Sequence, residues 1–450
     1  MIGFTSFRIL IDSLFSILGI STVGTIAFYL YILVLFVQAL PYFTKTITFP
    51  RTIFFMAWIL YCVVSAKRTT MDSALYLSYI KYILVFGGAY LLLGQTAFRY
   101  SSIAKEELYK LPAVLNIVGM LNYSIIRYSG AGLSGAAASA DYSMELSYAN
   151  LVPALICTVI LLAGDLDNHG EKSNIAVITV DRPAESLHRN IPAVTYTVML
   201  LSGDWNNRRL NSKVNILNDR RLFYLINMAI AYVLVFLGGS RGPVMVLGIM
   251  AIFSSIYSIV RHKNKLMIAL FIIAGFFAIA FLAIAFDFVS FNASNRIVRL
   301  LMNKDILDTS GREHYAEAAI AGIKEHTWLG TGVFRDRIYI YDRFHRSYAI
   351  NSFGSYPHNI LLEFLLQFGV IIGTGLLFFI LHMIRSAYKG VDETKAQEVF
   401  LYILGVGIMP LLVSKSYVQT WEFYLLLGYL IESATKRDHR YLFSYLHERT

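Results

Sequence analysis

The chain has 450 residues, of which 56% are hydrophobic and only 15% are charged. Its mean hydropathy is +0.57, and apolar runs of about 20 residues recur along its whole length, a pattern typical of helical proteins that cross a membrane many times. This composition excludes a soluble enzyme. The formal net charge of +10 would suggest a nucleic-acid partner in a soluble protein. Here much of the charge lies in short loops beside apolar runs, where it orients the chain in the membrane, so no nucleic-acid binding is expected.

Twelve apolar runs predict an all-α polytopic membrane protein with about twelve transmembrane helices. The runs cover residues 7–22, 24–43, 52–66, 73–95, 110–128, 146–164, 222–240, 243–261, 266–287, 357–386, 397–414 and 419–433. Cys62 and Cys157 lie inside these runs, which indicates small buried residues rather than a disulfide or a zinc site. Arg8 and Asp12 interrupt the first run and no small-residue cleavage site follows, so we predict a retained span rather than a signal peptide.

Six regions follow from these runs. They are the first membrane region at 1–164, an insertion at 165–221, a second membrane region at 222–287, a polar loop at 288–356, a third membrane region at 357–433 and a tail at 434–450. Basic clusters at 261–265 and 436–440 predict cytoplasmic loops, because Lys and Arg accumulate on that side. Both termini and the insertion are therefore predicted to be cytoplasmic, and the 288–356 loop external.

The polar loop at 288–356 carries nine basic and seven acidic residues. Its second half interleaves arginines with the aromatic residues Phe334, Tyr339, Tyr341, Phe344, Tyr348, Phe353 and Tyr356. Aromatic faces suit sugar rings, and guanidinium groups suit phosphates. We therefore take Arg296, Arg299, Tyr339 and Tyr341 as candidate substrate-binding residues.

A Gly-Gly-Ser-Arg-Gly-Pro hairpin at 238–243 joins the seventh and eighth runs on the predicted outer side. Glycine permits the left-handed backbone that ends a helix, and Pro243 suits the first turn of the next one. The hairpin thus presents Arg241 at the membrane surface, where it would bind a lipid diphosphate or simply anchor the hairpin.

Ser310-Gly311-Arg312-Glu313 precedes an amphipathic run that reaches Trp328. We predict a helix that begins near Arg312, with one apolar side formed by Tyr315, Ala319, Ile320 and Ile323. The Gly-Thr-Gly at 330–332 that follows is compatible with a turn or with a phosphate-cradling loop.

Pro357-His358-Asn359 opens the tenth run, and Glu363 follows inside it. Pro357 fits the first helical position, so His358 is predicted in the first turn, where the helix dipole favours a neutral imidazole that can accept a proton. Asn359 and Glu363 are further candidate binding residues. The structural alternatives are a capping role for His358 and an intramembrane ion pair for Glu363.

In order, spacing and side, these three groups resemble the O-antigen ligase and O-antigen polymerase superfamily over roughly residues 222–386. The resemblance implies a GT-C-type membrane glycosyltransferase that needs neither metal nor cofactor. Its donor would be an undecaprenyl-diphosphate-linked oligosaccharide and its acceptor would be lipid-linked. Arg241 and Arg312 would bind the donor diphosphate, and His358 would activate the acceptor hydroxyl.

The resemblance also implies a place in the bacterial inner membrane, with the active site on the periplasmic face. Membrane lipids would surround the protein, and a chain-length regulator protein is a further candidate partner. Within the family we favour a polymerase, because the aromatic and basic stretch from Tyr339 to Tyr356 suits a saccharide chain. A ligase that moves finished polymer to the lipid A core is the alternative, and a lipid-linked oligosaccharide flippase is the alternative of another class.

Overall fold

The computed structural model describes residues 4–16, 23–46, 57–58, 60–65, 77, 79–80, 82–100, 105–128, 136–163, 216–238, 240–261, 275, 312–343, 355–390 and 394–433. Within these ranges the secondary structure is helical and contains no strand, which confirms the all-α class for this part of the chain. Most of the predicted insertion, almost all of the ninth apolar run, Arg296 and Arg299 lie outside the described residues.

The elements follow one another as helices of very different length. They are α1 Phe4–Ser16, α2 Val23–Thr46, a π-helix Ile83–Tyr90 continuing into α3 Leu91–Tyr100, α4 Lys105–Tyr128, α5 Ala136–Ala163, α6 Ile216–Leu237, α7 Arg241–Arg261, α8 Arg312–Glu325, α9 Arg335–Arg343, α10 Ile360–Gly390, α11 Thr394–Gly407, α12 Met409–Val413, a 3₁₀ turn Tyr417–Gln419 and α13 at 421–433.

Two of the described helices are long and apolar enough to cross a membrane by length and composition, through Glu145–Leu162 of α5 and Ile360–Tyr388 of α10. Shorter apolar helical segments are Ile26–Gln38, Phe223–Leu237, Gly242–Ile256 and Phe400–Val413. The described residues thus support helical membrane segments, whereas the count of about twelve spans and the GT-C-like arrangement stay predictions.

Helix α5 lies at the centre of the larger hydrophobic core, because 94% of its apolar segment is buried. It packs against α1, α4, α6, α7 and α11. Buried amides join the surrounding helices. Asn116 Nδ2 of α4 donates to the backbone oxygen of Asn227 in α6 at 2.8 Å, and Asn122 Nδ2 donates to that of Ser6 in α1 at 2.9 Å. Such bonds hold apolar helices in one register.

A second core forms around α10, α13 and the π-helix, and it includes Phe334 from the segment between α8 and α9. The Phe334 ring stacks on Tyr79 at 4.2 Å, which ties the segment between α8 and α9 to this core. Cys62 lies in this core and Cys157 in the first, and both are buried free thiols, as predicted.

Helix α8 begins at Arg312, as predicted, but it ends at Glu325 rather than near Trp328. The prediction for its apolar side is partly wrong, because Ile320 is 45% exposed whereas Ala318 is buried beside Ala319. The buried side of α8 is narrow because it is centred on Ala318 and Ala319, whose small side chains let α8 lie close to α10.

Helix α10 is interrupted at Gly369, whose φ of 75° lies in the left-handed region. The turn at 327–332 docks on this interruption through backbone hydrogen bonds. They run from Thr331 N to Leu366 O at 2.7 Å, from Gly332 N to Gln367 O at 3.0 Å and from Val370 N to Thr327 O at 2.8 Å. Because α10 uses the N–H groups of 331 and 332, the Gly-Thr-Gly sequence forms a docking turn and not a phosphate-cradling loop.

Gly330 faces the interrupted helix with a φ of 66°, and a Cβ there would lie 2.4 Å from the backbone oxygen of Gln367. We therefore expect Gly330→Ala to destabilise the folded protein by roughly 1–3 kcal/mol, because neither backbone can move aside. Gly375→Ala in α10 is the matched control, since nothing lies within 4 Å of its Cβ. Thermal unfolding of the detergent-purified variants measures both. Equal midpoints for the two would show that the turn does not need glycine.

Candidate functional site

A polar turn at Ser414-Lys415-Ser416 joins α12 to the 3₁₀ turn and lies at the centre of the site. Three side chains from the outer segment and the start of α10 donate to Ser414. They are Arg312 Nη2 to Ser414 Oγ at 3.2 Å, Tyr356 Oη to Ser414 O at 3.2 Å and His358 Nδ1 to Ser414 O at 2.8 Å. The turn therefore gathers residues that are far apart in the sequence.

Arg312 is the first residue of α8 and is partly buried. Besides Ser414, its Nη1 donates to the backbone oxygen of Val413 at 3.1 Å. Both of these acceptors are neutral, so among the described residues the charge of Arg312 is not paired with a carboxylate. A partly desolvated guanidinium with neutral partners favours an anion beside it, because the anion would supply the missing charge.

His358 lies before α10 and not in its first turn, so that prediction is wrong. The helix begins at Ile360, and the Asn359 side chain caps it by accepting from Leu361 N at 2.9 Å. His358 itself has a φ of 55°. The left-handed residue turns the chain so that the imidazole lies against the Tyr356 ring, with 4.1 Å between the ring centroids, and reaches Ser414.

The bond to Ser414 fixes the form of the imidazole. A carbonyl oxygen can only accept, so Nδ1 carries the proton and Nε2 keeps its lone pair. Burial lowers the pKa of His358 from 6.5 to about 4. The nearby positive charges of Arg312 and Arg337 also lower this pKa, whereas the hydrogen bond to Ser414 raises it. The imidazole is therefore neutral at physiological pH, as the sequence predicts. The cause is burial beside cations rather than the helix dipole.

Glu363 and Arg337 form a fully buried ion pair beneath this site, with 3.5 Å between Arg337 Nη2 and Glu363 Oε1. Ser416 lies between them. Its hydroxyl accepts from Arg337 at 2.5 Å and donates to Glu363 at 2.5 Å. Glu363 also accepts from the backbone N–H of Tyr417 at 3.4 Å. These contacts occupy the Glu363 carboxylate, so its position matches the structural alternative and fixes the 414–417 turn.

Arg337 also stacks under the site. Its guanidinium carbon lies 4.9 Å from the centre of the Tyr356 ring, the ring on which His358 rests. Asp336, its neighbour in α9, is fully buried as well, and burial raises the pKa of its carboxyl above the usual value. The buried guanidinium of Arg337 thus lies under the Tyr356 ring that contacts His358, and it holds the 414–417 turn through Ser416.

Arg241 begins α7 directly after the hairpin, which has the predicted form of two helices joined by a few residues. A Cβ on the adjacent Gly242 would lie 2.5 Å from Tyr148 Oη and 2.9 Å from Ser414 Cβ. The backbone at the start of α7 therefore lies against the same serine that Arg312 and His358 contact. The structure brings the positions of all three principal predicted residues together.

The other predicted residues take different places. Tyr339 Oη donates to Glu325 at 2.6 Å and accepts from Arg343 at 2.8 Å, in an exposed cluster that links α9 to α8. Tyr341 is partly buried in α9. Asn359 is the helix cap and also donates to Leu412 O at 3.2 Å. Arg296 and Arg299 lie outside the described residues.

Three residues of the site were not predicted from the sequence, namely Ser414, Lys415 and Ser416. Lys415 Nζ lies 4.2 Å from the centre of the Tyr148 ring and 3.8 Å from Glu422 Oε1, so it adds a cation close to the site. A usable signal was present, because this polar triplet interrupts two apolar runs on the same predicted side as Arg241 and Arg312. Arg337 and Asp336 gave no such signal, since charged residues in a polar loop are normally solvated.

An apolar cleft opens between α10, α13 and the π-helix. Its lining includes Trp58, Leu91, Phe364, Ile380 and Phe423. Phe364 follows Glu363 directly, so the cleft reaches the level of the buried ion pair. The walls of the cleft are almost wholly apolar, so it is suited to apolar rather than to charged groups.

Residues 226–391 match the family described as O-antigen ligase. This stretch contains Arg241, Arg312, His358 and the kink of α10. Neither the curated proteins nor the solved structures give a significant match.

Proposed function

We propose that the chain is a membrane glycosyltransferase of surface-polysaccharide synthesis, and the match of residues 226–391 to the O-antigen ligase family supports this proposal. The donor is a saccharide on undecaprenyl diphosphate, and the acceptor is lipid-linked. One observation carries the proposal. A neutral imidazole that keeps its lone pair on Nε2 and an arginine that has no carboxylate partner among the described residues both hydrogen-bond to Ser414. Acid–base and anion-binding groups are thus placed side by side.

In the proposed reaction, the acceptor hydroxyl attacks the anomeric carbon of the donor sugar. The bond from that carbon to the diphosphate oxygen breaks, and the diphosphate leaves with its electron pair. His358 Nε2 takes the hydroxyl proton, while Arg312 and Arg241 stabilise the charge on the leaving diphosphate. A single displacement inverts the anomeric centre. These residues thus supply the base and the cations that the step needs. The apolar cleft suits the prenyl chain of the donor.

We propose the polymerase reaction, in which a growing glycan moves from its carrier onto a lipid-linked repeat unit. The ligase reaction is the second candidate, because the matching family is described as O-antigen ligase. Two of the aromatic residues that favour a polymerase are engaged elsewhere, Tyr339 in the α8–α9 cluster and Tyr356 under His358. The proposed location is the bacterial inner membrane, with residues 288–356 on the periplasmic side.

The polysaccharide pattern of a deletion strain separates the two reactions. Loss of a polymerase leaves a lipid A core that carries a single repeat unit. Loss of a ligase leaves finished polymer on the carrier lipid and none on the core. An unchanged pattern in the deletion strain would contradict both. Transport of labelled lipid-linked repeat in liposomes without formation of a glycosidic bond would indicate a flippase.

Arg312 offers a direct test of diphosphate binding. We expect Arg312→Lys to lower kcat/KM roughly 10-fold to 100-fold, because a lysine cannot keep its bonds to Val413 and Ser414 while it binds two diphosphate oxygens. Arg241→Lys is expected to act in the same direction. Arg343→Lys is the matched control, since Arg343 is an exposed arginine paired with Glu325. Full activity of both the 241 and the 312 variants would show that neither guanidinium holds the diphosphate.

A further inference from the structure

Exposed apolar side chains cluster at the turn between α8 and α9. Trp328 is 69% exposed and Leu329 is 76% exposed, although both lie in the turn at 327–332 that is hydrogen-bonded to α10. A turn with an exposed tryptophan and leucine is unusual in a segment that faces only water. The backbone bonds fix its height along α10 at Gly369, so the surroundings of that level can be identified.

The surface of α10 changes character at Gly369. Before it, Glu363, Phe364, Leu366, Gln367 and Phe368 are all at most 2% exposed, beneath α8, α9 and the neighbouring helices. After it, apolar side chains face outward. They include Val370, Ile371, Ile372, Phe378, Phe379 and Leu381. Before Gly369 most of α10 is thus covered by protein, with Leu361 exposed at its start. After Gly369 the helix presents a hydrocarbon surface that continues from Trp328 and Leu329.

Length supports a membrane boundary at this level. The stretch from Val370 to Tyr388 measures about 27 Å at a rise of about 1.5 Å per residue, which is close to the hydrocarbon thickness of about 30 Å. The whole helix is too long for that core. The part of α10 before Gly369 lies beside α8, which presents the exposed charged residues Glu317 and Glu325. Along α8 and the turn that follows, the last exposed carboxylate is therefore Glu325, and the exposed side chains of Trp328 and Leu329 come directly after it.

We propose that the turn at 326–329 is a membrane contact in which Trp328 and Leu329 insert into the lipid leaflet nearest the Ser414 site. The partner is the acyl-chain region just below the headgroups, where tryptophan is favoured. The Gly330 and Gly369 contact locks this anchor to α10. It thereby fixes the height of the site, which lies at the start of α10, relative to the membrane. This inference does not depend on the proposed reaction.

Fluorescence quenching in vesicles tests the contact. The full chain is reconstituted in phosphatidylethanolamine and phosphatidylglycerol, with lipids brominated either near the headgroup end or near the methyl end of the acyl chain. The chain has four tryptophans, so the Trp328 signal is the difference between the parent and Trp328→Phe. We expect bromine near the headgroup end to quench most of this difference, bromine near the methyl end to quench less, and aqueous iodide to quench little.

Ile320→Trp in the Trp328→Phe background is the matched control. Ile320 is 45% exposed on α8, above the proposed boundary, so its replacement should respond to iodide and not to bromine. Equal iodide quenching at the two positions, without a bromine effect at Trp328, would overturn the proposal. Protection of Trp328 from both quenchers would also overturn it, because a protein surface would then cover the turn.

Discussion

Replacement of His358 by asparagine is expected to lower the rate of glycosyl transfer by about 10²-fold to 10⁴-fold, the usual effect of losing a general base. Asparagine suits this position better than alanine. It tolerates the left-handed φ of 55°, and its amide can still donate to Ser414 O. The variant should therefore fold, accumulate and bind donor lipid, yet it has no nitrogen that can accept the hydroxyl proton.

Asn359→Ala provides the contrast, because Asn359 caps α10 without offering a base. Its loss should cost about 1 kcal/mol of stability and leave most of the activity of each folded molecule. Transfer per folded molecule, measured with purified lipid-linked donor and acceptor, distinguishes the two variants. Substantial activity of His358→Asn would mean that the proton goes to water, to the diphosphate or to another residue.

The pH dependence follows from the lowered pKa of His358. In the free enzyme the imidazole loses its base function only near pH 4, so the acid limb of kcat/KM should fall near that pH. A bound diphosphate offsets the charge of Arg312, which should raise the pKa of His358 and move the acid limb of kcat to higher pH. The two profiles should coincide if Arg312 does not contact the donor.

Protonation of His358 also opposes folding. Its folded pKa of about 4 lies below the unfolded value of 6.5, so between these values the unfolded state binds more protons. Stability should be unaffected above about pH 6.5 and should fall by up to about 3 kcal/mol as the pH drops towards 4. Unfolding midpoints across this range should show that component in the parent protein and not in His358→Asn.

The helical class and many helix positions could be predicted because apolar periodicity and length decide them locally. Arg312 at the start of α8 and the hairpin before Arg241 are such cases. The kink at Gly369 could not be predicted, because it depends on a turn some 40 residues earlier that supplies its backbone partners. The left-handed His358 was missed for a related reason. A helix that starts at Pro357 and a helix capped by Asn359 are both compatible with the sequence. Only the contact of His358 with Ser414 shows that the second is correct.

The arginines and the histidine of the candidate site could be predicted from the sequence, whereas the contacts that hold them in place could not. Arginine and histidine stand out where a membrane protein presents polar residues at one surface. The turn at Ser414 and the pair of Arg337 with Glu363 join segments separated by tens of residues, and no local pattern records such a contact. Tyr339 was chosen because its type suits a sugar, and its partners in the structure, Glu325 and Arg343, could not be read from the sequence.

Arg337→Met is expected to destabilise the folded protein by about 3–5 kcal/mol, the usual effect of removing one partner from a buried ion pair. The substitution would leave the Glu363 carboxylate without its cation at a position with no exposure. It would also take one donor from Ser416 and the cation from beneath the Tyr356 ring. Because the 414–417 turn then loses its support, the residual transfer activity should fall further than the folded fraction does.

Arg343→Met is the matched control in the same helix, since Arg343 pairs with Glu325 but both side chains are nearly half exposed. An exposed pair contributes roughly 1 kcal/mol or less, so this variant should unfold close to the parent midpoint. Adding Glu363→Gln to Arg337→Met should recover part of the lost stability, because a neutral amide replaces the unpaired carboxylate. Chemical unfolding of the purified variants in detergent measures all three. If Arg337→Met unfolds with the same midpoint as Arg343→Met, the buried pair does not hold the turn and another contact must fix Ser414 beside His358.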